Sequence, residues 1–276
     1  MSARDKGAVQ HLDSNSAGRD KGAVEASVVA EAAAATTSVG WTRSLTPSPV
    51  RPSYKSGFAR SSAESAYPGL WDGLIAGYVP QMGATGDTLR NLAGRNHGTL
   101  TNMDPATDWV VSRKGLVLDL DGTDDHIVLT GLSSTSQSYS FVSQWFKTSA
   151  SGYLWDIQSG RLVISAEHNV TGLGFYDSAW TSLSGNLLNS TWYHTVITLN
   201  SESNAAIGYV DGAETGNTTA YNVHHDISGN VSLGAKHDGA APRFGGQFGT
   251  FLLYDRVLTP VEVRQLYRDP LAPFRQ

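Results

Sequence analysis

The sequence predicts an all-β protein: a two-sheet antiparallel jelly-roll sandwich, preceded by an extended N-terminal arm and closed by one short C-terminal helix. Three observations predict it. From Tyr67 onward the chain divides into ten or more short apolar or alternating segments, separated by turn residues and without interleaved helices. Glycine is high, at 29 of 276 residues, while charged residues are only 16%, which suits short strands around a sizeable core. The closing stretch from Phe244 to Tyr267 reads as a buried strand, a turn and a capped helix.

The elements follow in chain order. Residues 1–66 form the arm, rich in Ala, Ser, Arg and Pro with one Trp, one Tyr and one Phe, too little to fold alone. Only Val24 to Ala35 has the character of a short helix. Arg43 to Lys55 carries Pro47, Pro49 and Pro52 and reads as an extended, semi-rigid connector. The sandwich domain, residues 67–276, begins with a strand from Leu74 to Val79. Leu116–Asp121 and Asp125–Leu129 form two more, joined through Gly122. Tyr139–Lys147 alternates strongly, with Tyr139, Phe141, Trp145 and Phe146 supplying bulk. Tyr153–Ile157, Arg161–Ala166 and Gly172–Tyr176 follow, then Trp192–Leu199 and Ala206–Val210, and Asp211-Gly212 is a hairpin turn between two strands. Asn230–Ala235 and Gly246–Leu253 close the set. Thr259 is then an N-cap, Pro260 the first helical residue and Glu262 the partner in a capping box, with Val263, Leu266 and Tyr267 on one face.

Composition narrows the function. Net charge is −5, so bulk binding to nucleic acid or to an anionic membrane is not favoured. No apolar run approaches the 18 or so residues of a membrane span. Cysteine is absent, which removes disulfides, thiolate metal sites and a Cys nucleophile. Together with a start that does not read as a signal peptide, this points to assembly in a cytoplasm. The arm holds eight Lys/Arg against six Asp/Glu and the remainder twelve against nineteen, so arm and domain have opposite charge balance. Ala3-Arg-Asp-Lys-Gly-Ala-Val9 returns as Gly18-Arg-Asp-Lys-Gly-Ala-Val24, with six of seven positions identical. The repeat is either a local duplication in a solvated tail or two copies of a docking unit for a multi-copy partner. Arg4, Lys6, Arg19 and Lys21 are its anchoring residues.

Several segments together resemble a laminin G-like domain of the concanavalin A-like lectin/glucanase superfamily, over about residues 68–268. Asn91-Leu-Ala-Gly-Arg-Asn-His-Gly-Thr-Leu-Thr101 is similar to that family's early D-x-S-G-N-x-N-x-G loop. Leu118-Asp-Leu-Asp-Gly-Thr-Asp-Asp-His-Ile-Val128 is similar to its F-D-G-x-D-D-Y-V hairpin. Trp192-Tyr-His-Thr-Val196 with Tyr209-Val-Asp-Gly212 is similar to W-x-H-V-A followed by Y-V-D-G, and the strand-and-helix ending is the fourth piece. Physically, Asp121, Asp124 and Asp125 can cap turn amides around Gly122, Trp192 is a core anchor beneath its strand, His194 is a hydrogen-bonded sheet residue, and Tyr209 likewise has a structural role. The tail Tyr267-Arg-Asp-Pro-Leu-Ala-Pro-Phe-Arg-Gln276 resembles endings in bacteriophage and environmental viral proteins, with Phe274 tucked against the sheet.

The resemblance implies a set of site expectations. Glucanases of the superfamily use carboxylates in an E-x-D-x-x-E arrangement, which this chain lacks; the domain's four Glu, at 167, 202, 214 and 262, are not so paired. No hydrolase activity is expected. Calcium is the one cofactor the resemblance allows, with Asn91 and Asn96 as its ligands, although Asn91 stands where an Asp is usual and Gly249-Thr250 where acidic residues are common. His224-His225-Asp226 and His237-Asp238 offer only loop histidines. Sugar binding implies exposed aromatics, for which Trp155, His168, Tyr176 and Trp180 are the candidates; the plain alternative is that half of them fill the core. The expectation is a non-enzymatic virion structural protein, a capsid decoration or tail/fibre-associated module in multiple copies on the virion surface. Its arm binds a capsid or tail protein, and its sandwich faces glycans. The alternative is a free or cell-surface, extracellular carbohydrate-binding lectin.

Overall fold

The computed structural model describes residues 68–147, 151–157, 161–236 and 239–274. The arm, its repeat, its short helix, the Pro-rich connector and the 66/67 boundary all lie outside the described residues, as do His237-Asp238.

The described chain is a sandwich of two antiparallel eight-stranded sheets. It opens with a single helical turn, α1 (Pro68–Trp71), then β1 (Leu74–Tyr78) and a 3-10 turn over Pro80–Met82. The strands continue as β2 (Thr88–Leu89), β3 (Gly98–Thr101), β4 (Trp109–Ser112), β5 (Gly115–Asp121), β6 (His126–Leu129), β7 (Tyr139–Lys147) and β8 (Gly152–Ile157). Next come β9 (Leu162–Ala166), β10 (Leu173–Tyr176), β11 (Trp180–Ser182), β12 (Thr191–Asn200), β13 (Ala205–Val210) and β14 (Ala213–Thr218). β15 (Val231–Leu233), β16 (Gly245–Tyr254), α2 (Pro260–Arg268) and a 3-10 turn over Ala272–Phe274 complete it. The first sheet runs β14-β13-β12-β7-β16-β5-β4, with β1 also paired to β16; the second runs β11-β10-β9-β8-β15-β6-β3-β2.

β16 is long enough to serve two partners. Its first half pairs with β5 and its second half with β1, and a register shift between Phe248 and Phe251 separates them. The inner faces meet in one core, where Phe141 and Trp145 of β7, Trp155 of β8, Phe175 of β10 and Phe251 of β16 interlock. Each such side chain contributes about 1.5–3 kcal/mol by leaving water.

The two outer faces are treated differently. The first sheet's outer residues Val142, Val196, Tyr209, Leu252 and Tyr254 are covered by Leu70, Trp71, Val263, Leu266 and Phe274, from both ends of the domain. α2 forms because Thr259 accepts the Glu262 amide while Glu262 reaches back to the Thr259 amide, the expected capping box. Phe274 lies edge-on to Trp71, ring centroids 5.7 Å apart, so the tail does tuck against the sheet. Arg256 ties the turn to both helices. It forms a two-pronged pair with Glu262 at 2.6 and 3.1 Å and also donates to the carbonyls of Asp72 and Gly69. The Asp211-Gly212 turn has φ of 51° and 80°, as a tight hairpin requires.

Candidate functional site

The second sheet's outer face carries the site. One row of directly paired residues crosses it: Trp180 of β11 opposite Tyr176 of β10, Tyr176 opposite Val163 of β9, Val163 opposite Asp156 of β8, and Asp156 opposite Ser232 of β15. Residues facing each other across antiparallel strands share a face. The next outward residue of β8 is Tyr153, paired with Ser165. The β9–β10 turn folds back over this end of the sheet. Glu167 and Asn169 take left-handed backbone angles of 58° and 57°, the Glu167 amide bonds Gly172, and Ser165 Oγ donates to the carbonyl of His168 at 2.9 Å. That turn sets the imidazole of His168 against the sheet.

Four rings thereby converge. Trp180 lies 5.2 Å from Tyr176, 5.9 Å from His168 and 6.0 Å from Tyr153, and His168 is 5.5 Å from Tyr153. Trp180, Tyr176 and His168 are half-buried and Tyr153 forms the base. Burial pulls the His168 imidazole below its ordinary value, so it is neutral at physiological pH. Burial, then the nearby Asp156 carboxylate and Tyr176 phenol, push the Tyr153 hydroxyl up, which keeps it a proton donor. Asp156 is buried beneath the shelf, and the hydroxyl of Ser232 beside it is buried without a hydrogen-bond partner. The arrangement combines flat apolar ring surface with phenol and imidazole groups at its edge, the pairing that a hydroxylated ring needs.

His168, Tyr176 and Trp180 come together as one cluster. Trp155 does not. It is 0% exposed, packs against Phe141 and Phe251 at 5.5 and 5.6 Å, and donates its indole N–H to Ser143 Oγ at 2.9 Å. A stacking platform needs an open ring face, so Trp155 is core and leaves the candidate set. The cause is a register shift in β8 between Tyr153 and Trp155, which turns Trp155 inward and Tyr153 outward. Tyr153 is the site residue that sequence reasoning missed.

Asn91 and Asn96 do not fit a calcium ion. The side-chain oxygen of Asn91 already accepts the amides of Gly77 and Ala93, at 2.9 and 3.0 Å, which occupies both lone pairs. Asn96 donates its side-chain amide to the carbonyl of Thr130, and its own carbonyl accepts the Tyr78 hydroxyl. Both residues brace the loop. Oxygens of Asp121, Asp124 and Asp125 lie within 4.8 Å of one another, but two of the three shape the turn. Asp121 accepts the amides of Thr123 and Asp124, and Asp125 accepts that of Asp121. The Thr123 amide leads in holding Asp121 below its usual range, while burial leads in pushing Asp125 up to about 6. His224, His225 and Asp226 bond Asn204, the Asp177 carbonyl and Gln137, so they too are loop braces.

Two sheets face to face, one outer face covered and the other bearing an aromatic shelf, define a lectin-type β-sandwich. The chain belongs to the concanavalin A-like lectin/glucanases superfamily: the model of a laminin G-like family within it matches residues 121–264, just over half the sequence. Among solved structures, domain 4 of AbnA, an extracellular GH43 arabinanase from Geobacillus stearothermophilus, studied in complex with arabinotriose, is similar at a TM-score of 0.55. It is 20% identical and covers 70% of this chain and 98% of its own. Trypanosoma rangeli sialidase is similar at 0.52 and 16% identity, covering 74% of this chain; the match spans 34% of the sialidase. At these identities the likeness is one of fold. No curated protein matches the sequence significantly.

Proposed function

We propose that this protein is a non-enzymatic glycan-binding module, displayed in many copies on a virion surface by its N-terminal arm. The observation that carries the binding role is the convergence of Tyr153, His168, Tyr176 and Trp180 on an outer sheet face. A sugar ring lays its C–H face on Trp180 and Tyr176, and its hydroxyls reach the His168 imidazole and the phenols. The likeness to an arabinanase domain studied with arabinotriose supports testing arabinose-containing glycans first. The missing E-x-D-x-x-E arrangement supports a role without hydrolysis.

One shelf of this kind yields weak binding, with Kd from about a millimolar to tens of micromolar, or about 4–6 kcal/mol. Display in many copies raises such affinity by avidity alone. The duplicated Arg-Asp-Lys-Gly-Ala-Val unit and the opposite charge of arm and domain support an arm docked on a repeating lattice. The test has two parts. Full-length protein on a plant and bacterial glycan array should bind oligosaccharides without turnover, and Trp180→Ala should abolish the signal. Expressed alongside phage capsid and tail proteins, the full chain should sediment with particles, and deletion of residues 1–60 should leave it soluble and unattached. Glycan binding without particle association would instead favour the free lectin; hydrolysis abolished by one Asp or Glu substitution would refute the non-enzymatic reading.

A further inference from the structure

The first sheet's outer face holds a second concavity, of about 300 Å³, beside the C-terminal end of α2. That volume lies at the lower end for small-ligand pockets. Its floor is Gln144 of β7 and His194 of β12, directly paired across the two strands. Asp211 at the β13–β14 turn and Tyr267 in the last turn of α2 form one wall, and Arg113 and Lys114 at the β4–β5 turn form the other.

His194 is the anomaly here. Its backbone is well bonded, with the amide donating to Asp211 Oδ1 and the carbonyl accepting the Asp211 amide. The residue is 3% exposed, and both ring nitrogens are buried without a hydrogen-bond partner. The expected hydrogen-bonded sheet histidine is thus bonded through its main chain alone. Burial first, then Lys114, hold the imidazole neutral, with its value pulled down to about 3. A neutral imidazole offers one N–H donor and one lone pair, and unmet buried polar groups are costly. Arg113 and Lys114 are exposed and form no ion pair among the described residues. The Tyr267 ring, 43% exposed, stands 5.8 Å from the imidazole and tilted to it by 53°.

We propose that this cavity binds an acidic monosaccharide unit, a carboxylate on a hydroxylated ring. The two cations take the carboxylate, Arg113 with a planar fork suited to both oxygens. The sugar ring rests on Tyr267. One ligand hydroxyl bonds the ring nitrogen of His194 nearest the cavity and so meets one of its two orphaned positions. The site is separate from the shelf, on the opposite face of the sandwich, and it selects for charge, which the shelf does not.

Titration of the full-length protein tests this with glucuronate, glucose and inorganic sulfate, read by calorimetry and by the ring nitrogen signals of His194. Glucuronate should bind at least tenfold more tightly than glucose and should shift the His194 signals. The double variant Arg113→Gln/Lys114→Gln, at an exposed turn, should keep the wild-type melting temperature and lose at least tenfold in glucuronate affinity. Trp180→Ala should leave the glucuronate-induced shift of the His194 signals unchanged, so failure of the shelf and failure of this site read differently. Equal affinity for glucose and glucuronate, unmoved His194 signals, or full binding by the double variant would overturn the proposal. So would sulfate binding as tightly as glucuronate, because the cavity would then recognise charge without the sugar.

Discussion

Trp155 on β8 and Trp180 on β11 belong to the same sheet, with two strands between them, yet should respond to truncation in opposite ways. Trp155 is wholly enclosed between the sheets and is held by Ser143 and two aromatic neighbours. Trp155→Ala removes that volume from a close-packed core and should cost about 4 kcal/mol, within the 3–5 kcal/mol typical of such truncations. For a domain of about 200 residues, each kcal/mol moves Tm by roughly 2–4 °C, so Tm should fall by roughly 8–16 °C. Trp180 is half-buried at the sheet's end, on β11, and its truncation leaves a dent that solvent fills. Trp180→Ala should cost about 1 kcal/mol, or roughly 2–4 °C. Glycan affinity should follow the reverse order. Trp180→Ala should lose at least tenfold, while folded Trp155→Ala protein, assayed well below its Tm, should bind near normally. Differential scanning calorimetry and glycan titration on the same preparations measure both quantities. Equal Tm losses would show that the shelf is structural packing, and unchanged affinity in Trp180→Ala would remove it as a binding surface.

Three further outcomes follow from the same geometry. Glu262→Ala removes half of the capping box and both prongs of the Arg256 pair, and should cost about 2–3 kcal/mol at pH 7 by urea unfolding. Burial pushes the Glu262 carboxyl up, but Arg256 and Thr259 outweigh it and hold the group below its ordinary value. Its stabilisation is therefore complete above the unfolded value and is lost as pH falls through the folded one, so the gap between wild type and variant should close in acid. Asp125 is the reverse case, with a folded value near 6 above its unfolded one. The folded state binds more protons between about pH 4 and pH 6, so stability falls as pH rises through that window. Asp125→Asn should be more stable than wild type at pH 7, and the advantage should vanish near pH 4. A Cβ on Gly77 would sit 2.5 Å from the Phe274 ring, so Gly77→Ala should destabilise by about 1–3 kcal/mol, and adding Phe274→Ala should cost less than the two changes summed.

How much of this was legible depends on where each residue's environment comes from. β7 was readable to the residue, because Tyr139, Phe141 and Trp145 alternate with smaller outward residues along one uninterrupted strand. α2 was equally clear, since Thr259, Pro260 and Glu262 set their own local geometry. β14, with the sequence Ala-Glu-Thr-Gly-Asn-Thr, has no apolar face at all and exists because β13 offers it a ladder at the sheet edge. β4 and β11 are short edge strands with the same difficulty. At the site, the Tyr176–Trp180 pair spans one short hairpin and was accessible from spacing. The role of Tyr153 was not, because period-two reasoning places it on the same face as Trp155, and a single irregularity in β8 separates them. His194 was legible as a strand residue, but the missing partners of its ring depend on Arg113, Lys114 and Tyr267, which arrive from distant parts of the chain.

The contact between Trp71 and Phe274 brings the first and last elements of the domain to one spot, beneath the sheet face that the helices cover. Both elements lie on the outer face of the first sheet, whereas the aromatic shelf belongs to the second. A domain whose first and last elements adjoin can be set into a loop of another protein with little distortion. Circular permutation should follow the same logic: joining the two ends with a short linker and opening the chain at the exposed Ser201–Asn204 turn should preserve the fold.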